Sequence, residues 1–468
     1  MRPIRLHNTL TGGVSELVPE KPPELRMYAC GLTVYGRGHI GNFRTFLAVD
    51  ILRRTLKYRG YRVLEVMNIT DVDDKIIQLA SKEGTELPAF TAPHVRAFEE
   101  DMAALRLEPP ERVPKATEHI PEMVALIARL IERGHTYVAD GSVYFRIGSF
   151  PEYGRLARLD TAGIKAGARV DTDKYDKENA RDFVLWKSKT DEPEWAQWEA
   201  PFGKGRPGWH IECSAMAMKY LGETFDLHAG GVDLIFPHHE NEIAQSQCGT
   251  GQPYVRHWMH VQHLLIENET MSKSKGNVYT IPQLVERGHR PEAIRYLLSS
   301  AHYRTSLNFT WDGLQHAAAA LDRVHGFVRR LGEVDREGVA SAEVQAMVDE
   351  VREDFGEALA DDLNTPEALA AVHDLVGRAN VVLASGTATT GDTALLRRLI
   401  DEMDSVFAVL VPSAEERLSP EQQALFDERQ DARKKREFAR ADAARAKLEA
   451  LGIVLEDTPK GTRWHRKG

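Results

Sequence analysis

Cys30, Cys213, His238 and Glu242 are the residues of this chain whose types could hold a metal ion. Two thiolates with an imidazole and a carboxylate favour zinc over harder cations. Spacing supplies only part of this set. His238 and Glu242 stand four apart on an expected helix and so share a face, yet His239 shares that face with Glu242 at three apart. The residues alone therefore leave two histidines open. The run His239-Glu240-Asn241-Glu242-Ile243 lacks the second histidine of the HExxH pattern, which excludes that protease reading. The chain has 3 cysteines in all, an odd and scattered set that argues against a disulfide framework. The third, Cys248, reads as a small buried hydrophobe.

A second set suits phosphates. Gly38-His39-Ile40-Gly41-Asn42 falls between a strand and a helix start, where free N–H groups and the His39 imidazole would receive a triphosphate. Far downstream, Met271-Ser272-Lys273-Ser274-Lys275-Gly276-Asn277 sets two lysines in a small-residue loop. Such ammonium groups can follow charge onto a leaving pyrophosphate, although a Lys/Ser loop is more often a solvated turn. Gly36, Gly38 and Gly41 also spell GxGxxG before a helix, with Glu65 beyond, the nominal dinucleotide fingerprint. The first of these glycines comes well after the strand end at Cys30, and a dehydrogenase has no use for the thiolates or the Lys273 loop.

The elements that must position these groups follow from periodicity. Arg26 to Cys30 reads as a strand, Gly41 to Leu56 as a helix with Leu47, Ile51, Leu52 and Leu56 on its apolar face, and Tyr61 to Met67 as a strand. That order predicts a parallel βαβ unit with ligand loops at the carboxyl ends of its strands, at Cys30 and at Asn68 to Asp74. Phe225 to His228 reads as a further strand running into Gly230 and Gly231, followed by a helix opening near Pro237. Residues 112–206, with a helical Met123 to Arg133, a strand-like Ser142 to Ile147 and a polar stretch at Asp171 to Arg181, read as an insertion. Helical patterns follow at Ala317 to Arg330, Ser341 to Leu359, Pro366 to Leu383 and Thr393 to Val409, which predicts a bundle. A small charged module ends the chain.

At 468 residues, two or three domains are expected: a nucleotide-binding α/β domain over 1–313, the bundle over 314–412 and the tail over 413–468. Hydrophobic residues at 42% and charged residues at 28% exclude disordered and fibrous classes. With no apolar run long enough to span a bilayer and no signal-like start over Met1 to Glu20, a cytoplasmic protein is expected. A net charge of −10 gives no sign of a general polyanion binder. The tail differs: from Asp427 to Gly468 it carries 12 Lys/Arg against 8 Asp/Glu, a net of +4 that permits a polyanion-facing end, although a charge run is more often a solvated helix face.

Six stretches in order resemble the class I aminoacyl-tRNA synthetases, and within them the cysteinyl-tRNA synthetase family. They are Met27 to Tyr35, His39 to Arg44, Asn68 to Lys75, Gly208 to Ser214, Phe236 to Glu242 and Met271 to Asn277. The resemblance covers nearly the whole chain and implies a Rossmann-like catalytic domain with an insertion, a helical anticodon-binding domain and a small tail module. It implies one zinc on Cys30, Cys213, His238 and Glu242, and so selects His238 over His239. It also implies that Gly31, Thr70 and Trp209 line a cysteine pocket, that His39, Asn42, Gly230, Gly231, Asp233 and Lys273 meet Mg-ATP, and that Arg463 and Trp464 meet the tRNA. An exposed Trp464 would stack on an unpaired base. For Trp209 core packing is the bland alternative, for Thr70 it is capping the next helix beside Asp71, Asp73 and Asp74, and for the glycines it is turn formation.

Two departures stand out. Asn42 takes the place of the last histidine of the HIGH signature and cannot become cationic. Thr270 takes the place of the first lysine of the KMSKS loop, while Lys273 keeps the second. The implied activity is cysteine–tRNA ligation by a monomer, with the soft zinc selecting a thiolate over a serine hydroxyl at binding. Two alternatives share the motifs: a ligase that acylates a small amine with cysteine, which would not need the helical and basic C-terminal third, and a non-catalytic zinc- and tRNA-binding paralogue.

Overall fold

The structure is a computed structural model and describes residues 3–159, 182–188, 192–412, 418–458 and 461–466. The polar Asp171 to Arg181 stretch lies outside the described residues, as do the side chains of Lys273 and Arg463.

A short hairpin of β1 (Arg5–Asn8) and β2 (Gly13–Glu16) precedes the unit that carries the site. That unit runs β3 (Glu24–Ala29), α1 (Ile40–Tyr58), β4 (Arg62–Met67), α2 (Asp74–Glu83) and α3 (Leu87–Ala104). The stretch from residue 112 to 207 supplies α4 (Ile120–Glu132) and an antiparallel sheet of β5 (Thr136–Ala139), β6 (Ser142–Phe145), β7 (Phe183–Lys187) and β8 (Arg206–Pro207). The chain then returns to the first layer with α5 (Trp209–Leu221), β9 (Phe225–Gly231), α6 (Glu240–Thr250) and β10 (Val255–Val261). The main sheet is wholly parallel, in the order β10-β9-β3-β4. All seven residues of β9 are buried, as expected of a parallel strand covered on both faces.

The helix expected near Pro237 opens later. Ile235–His239 form a wide turn, with Phe236 extended, and α6 starts at Glu240. The cap expected after Thr70 is made by Asp73, whose Oδ1 accepts from the Ile76 N–H at 2.6 Å. Asp71 instead accepts from Thr117 N–H and Oγ1 at 2.9 and 2.6 Å.

Three short strands, β11 (Leu264–Ile266), β12 (Glu269–Thr270) and β13 (Leu307–Phe309), flank α7 (Ile281–Glu286) and α8 (Pro291–Ser299). The helices α9 (Trp311–Leu331), α10 (Ala342–Ala360), α11 (Thr365–Ala384) and α12 (Thr390–Phe407) then form the bundle. Their buried faces repeat at helical spacing, as in Val344, Met347, Val348, Val351 and Phe355 of α10. The fully buried Arg295 of α8 ties the bundle to the α/β layer. It pairs with Asp50 of α1 at 2.6 Å and donates to the carbonyls of Leu105 and Phe407. The tail consists of α13 (Pro420–Lys434), α14 (Phe438–Ala450) and the hairpin β14 (Ile453–Thr458) and β15 (Gly461–Arg466), around its own small core of Leu448, Ile453 and Leu455. Among the described residues no helix is long and apolar enough to cross a membrane.

Candidate functional site

A cleft of about 710 Å³ opens at the carboxyl ends of β3, β4 and β9. The chain leaves β3 toward β4 on one side and meets β9 on the other, so the strand order reverses here and leaves a crevice. Cys30, Gly31, Thr70, Trp209, Cys213 and His238 line one part of it, and His39, Asn42, Gly231, Asp233, Thr270 and Met271 another.

On the floor, ligand atoms of Cys30, Cys213, His238 and Glu242 all lie within 4.8 Å of one another, and all four residues are buried. The two Sγ atoms are 3.9 Å apart, and His238 Nε2 stands 3.1 Å from Glu242 Oε1. The Nδ1 of His238 is bonded to His210 Nδ1 at 3.0 Å, which orients the ring with Nε2 toward the cluster. The charges are unusual for a buried place. The hydrogen bond from Cys30 holds the Cys213 thiol down to about 6 against burial, with His238 adding to the effect. Burial and then Cys213 push the Cys30 thiol well up. Burial works against charge on His238, but Cys213 and Glu242 beside it raise it to about 10. Burial likewise works against charge on Glu242, and His228 and His238 overcome that and hold it at about 2. The cluster thus gathers two thiols, an imidazole and a carboxylate as donors able to hold a metal ion.

His239, the histidine left open by spacing, belongs to an overlapping set with Cys30, His228 and Glu242. Its Nε2 lies 3.4 Å from Cys30 Sγ, while Nδ1 is bonded to His260 Nε2 at 2.8 Å, and His260 in turn reaches Thr9. Burial and the neighbouring His228 and His260 hold His239 neutral. Only the set with Cys213 and His238 brings two thiols together, and it faces the cleft.

Above this floor is a small pocket. Gly31 sits so close to the β4 end that a Cβ there would meet the Asn68 carbonyl oxygen at 1.7 Å, and its N–H donates to Asn68 Oδ1 at 3.0 Å. Asn68 Nδ2 donates to Thr70 Oγ1 at 3.1 Å, leaving the Thr70 hydroxyl to donate elsewhere. Trp209 opens α5 and stays 40% exposed, with its ring tilted over His238 at 4.3 Å, so it covers the cluster from the cleft side and is not a core residue.

At the other end, His39 and Asn42 cap α1 reciprocally. His39 Nδ1 accepts from the Asn42 N–H at 3.2 Å, and Asn42 Oδ1 accepts from the His39 N–H at 3.0 Å. An Nδ1 that accepts places the proton of a neutral imidazole on Nε2, and Asn42 keeps its NH2 group to donate. Met271 lies against Gly41, where any side chain would collide with its Cε at 2.1 Å, so the downstream loop is seated directly on the start of α1. Gly230 stands beneath, against His239. Arg37 also lines the cleft and is clamped by Asp101 at 2.7 and 2.8 Å. Trp464 is remote from all this. It is half-buried against the tail's own core, so the open stacking face expected for it is partly used for packing.

Comparisons with known proteins match three stretches of the chain in turn. Residues 16–319 match the model of tRNA synthetases class I (C) catalytic domain. A cysteine–tRNA ligase of Solibacter usitatus is 51% identical across 99% of this chain and 100% of its own length. The chain belongs to the cysteine–tRNA ligase family. A Leptospira interrogans family member is 44% identical over 99% of both chains. Residues 354–411 match a DALR domain, and 415–464 the cysteinyl-tRNA ligase anticodon binding domain. Among solved structures, Mycobacterium tuberculosis methionyl-tRNA synthetase bound by methionyl-adenylate shares the fold, with a TM-score of 0.61, 16% identity and coverage of 89% of this chain and 96% of that one.

In a cysteine–tRNA ligase fold the GxGxxG run has another use, and Glu65 shows it. That carboxylate is 2% exposed and pairs with Arg53 at 2.9 Å, out of reach of any ribose. The reading of residue types did not single out His210, His228, His260, Asn68 or Arg37. His228 is followed by three residues of β9 and His260 by one of β10, and histidines that close to the end of a parallel strand are the signal that could have found them.

Proposed function

We propose that this chain activates cysteine with Mg-ATP and transfers it to the 3′ end of tRNA(Cys), acting as a cytoplasmic monomer with one zinc ion. The observation that carries the reading is the pair of buried thiols, Cys30 and Cys213, at the floor of a cleft whose other end is a capped helix start. Their 3.9 Å separation fits the roughly 3.8 Å between two thiolates on one tetrahedral zinc at about 2.3 Å. Cys30, Cys213, His238 and Glu242 would hold the ion, which when bound supplies a soft Lewis acid that prefers a cysteine thiolate to a serine hydroxyl.

Gly31, Thr70 and Trp209 then bound the small amino acid. Asn68, by occupying the Gly31 N–H and the Thr70 oxygen, fixes that wall. The substrate carboxylate attacks the α-phosphorus in line, the bond to the β-phosphate breaks, and pyrophosphate leaves with the electron pair. His39 Nε2–H and the Asn42 NH2 donate to phosphate oxygens. The Lys273 ammonium follows the charge onto pyrophosphate, and Gly230, Gly231 and Asp233 form the wall for adenosine. The terminal ribose hydroxyl of the tRNA next attacks the activated carbonyl and AMP departs, so no protein nucleophile is needed. Residues 1–313 would do this chemistry, while 314–412 and 413–468, with Arg463 and Trp464, would hold the tRNA.

Cysteine-dependent ATP–pyrophosphate exchange followed by charging of tRNA is the test. Exchange with charging is expected. Exchange without charging would select the small-amine ligase, and no exchange by zinc-loaded protein would sink the catalytic reading.

A further inference from the structure

Arg37 is the one lysine or arginine among the described residues that line the cleft. The one carboxylate in that lining, Asp233, lies against Gly231 at the end of β9. A cleft that takes a triphosphate needs fixed positive charge, and Asn42 and Thr270, which line it too, can carry none.

Arg37 is a preset donor. Its side chain is 33% exposed, yet the Asp101 carboxylate that grips it is only 2% exposed. Nε donates to Asp101 Oδ2 at 2.8 Å and Nη2 to Asp101 Oδ1 at 2.7 Å, so one edge of the guanidinium is used. The other edge, Nη1 with the outer hydrogen of Nη2, meets among the described residues only Glu100, which is 68% exposed and 3.5 Å from Nη2. An exposed contact of that length is weak. Asp101 is itself fixed, because Phe98, one turn earlier on α3, packs on Phe43 and Phe46 of α1 with ring centroids 6.1 and 5.2 Å apart. The guanidinium is thereby tied to the helix whose start His39 and Asn42 cap, and it is ordered before any ligand arrives.

The loop from Gly31 to His39 leads from the small pocket to that helix start, and Arg37 stands at its far end, two residues before His39. A free guanidinium edge matches two phosphate oxygens at once. We propose that Arg37 clamps the β- and γ-phosphates of ATP, the part that leaves as pyrophosphate. The inference rests on the ligase reading above.

The test uses the full-length, zinc-loaded protein and reads the binding of Mg-ATP and of AMP by calorimetry, beside cysteine-dependent ATP–pyrophosphate exchange. R37A should raise both Kd and KM for ATP about thirtyfold, the size of a lost charge-assisted contact, while AMP affinity and the KM for cysteine stay unchanged. R37Q, which can still bond to Asp101, should lose as much, and R37K should recover part of the affinity. ATP constants equal to wild type in R37A, or ATP and AMP weakened alike, overturn the clamp and leave the ligase. So does a variant that needs more tRNA but no more ATP for half-maximal charging, since the guanidinium would then meet the acceptor end. Selective loss of ATP affinity in R37A, beside a wild type that shows no cysteine-dependent exchange, keeps the clamp and overturns the ligase reading.

Discussion

The cleft floor and the helical bundle solve opposite problems with charge. On the floor, Cys30, Cys213, His228, His238, His239, Glu242 and His260 are packed together with almost no water access. In the bundle, the interior is mainly Leu, Val, Ala, Ile, Met and Phe, and the buried exceptions are each engaged locally, Asp392 in the cap of α12 and His325 on the Val409 carbonyl. Burying ionisable groups is costly unless they are paired or bind a metal, so the floor suits a cationic guest. The bundle is built to persist without a guest, because its interior is apolar packing. Function should therefore be separable by region: damage to the floor should abolish chemistry, and damage to the bundle interior should lower stability while the chemistry survives.

The largest effect should come from Cys213→Ser. Removing the thiol with the lower proton affinity should take bound zinc from one per chain to none, read by atomic emission, and slow cysteine-dependent exchange on the order of 1000-fold, since a Lewis acid contributes several kcal/mol. Retained metal with retained exchange would end the contrast between the regions. Next, Leu375→Ala in α11, fully buried, should cost about 3 kcal/mol of bundle stability by leaving a cavity. Exchange in the folded protein should not change. A parallel loss of exchange would mean the bundle shapes the cleft directly.

Two buried histidines sharpen the same contrast. His238, beside Cys213 and Glu242, is raised to about 10, whereas His257 on β10 is lowered to about 4 by burial, only partly offset by the His7 backbone, with its Nε2 unpartnered. An unfolded histidine binds its proton near 6.5, so between about 6.5 and 4 the unfolded chain holds more protons at His257, and stability falls as pH falls through that window. At pH 5 the loss reaches about 2 kcal/mol. His257→Gln should flatten the acid side of the melting profile by that amount, and a variant as acid-sensitive as wild type would refute the assignment.

Periodic patterning made α1, β4 and the four bundle helices legible, because each buries one repeating apolar stripe. The floor was only half legible. Cys30 and Cys213 are 183 residues apart and meet only because β3 pairs with β9 and α5 packs behind them, and no local spacing records that. The choice between His238 and His239 likewise depended on the wide turn at Ile235–His239, which sends adjacent side chains to different neighbours. The turn's extended Phe236 is also why the helix expected from Pro237 begins at Glu240.

Asn42 gives the smallest expected effect on stability and the cleanest separation of structure from chemistry. Its Oδ1 closes the cap of α1 by accepting from His39 N–H, a role a carboxylate can fill and a methyl group cannot. Asn42→Ala should therefore cost about 1 kcal/mol of stability and lower exchange, because cap and donor are lost together. Asn42→Asp should leave stability within a few tenths of a kcal/mol, since an acid at a helix start is favourable, yet it should weaken ATP binding by placing a negative charge where the triphosphate arrives. If both variants lose exchange in proportion to stability alone, Asn42 is only a cap. If Asn42→Asp is as stable as wild type but needs far more ATP to reach half-maximal rate, the helix start meets the phosphates, and the residue that departs from the HIGH signature still serves both ends of its role.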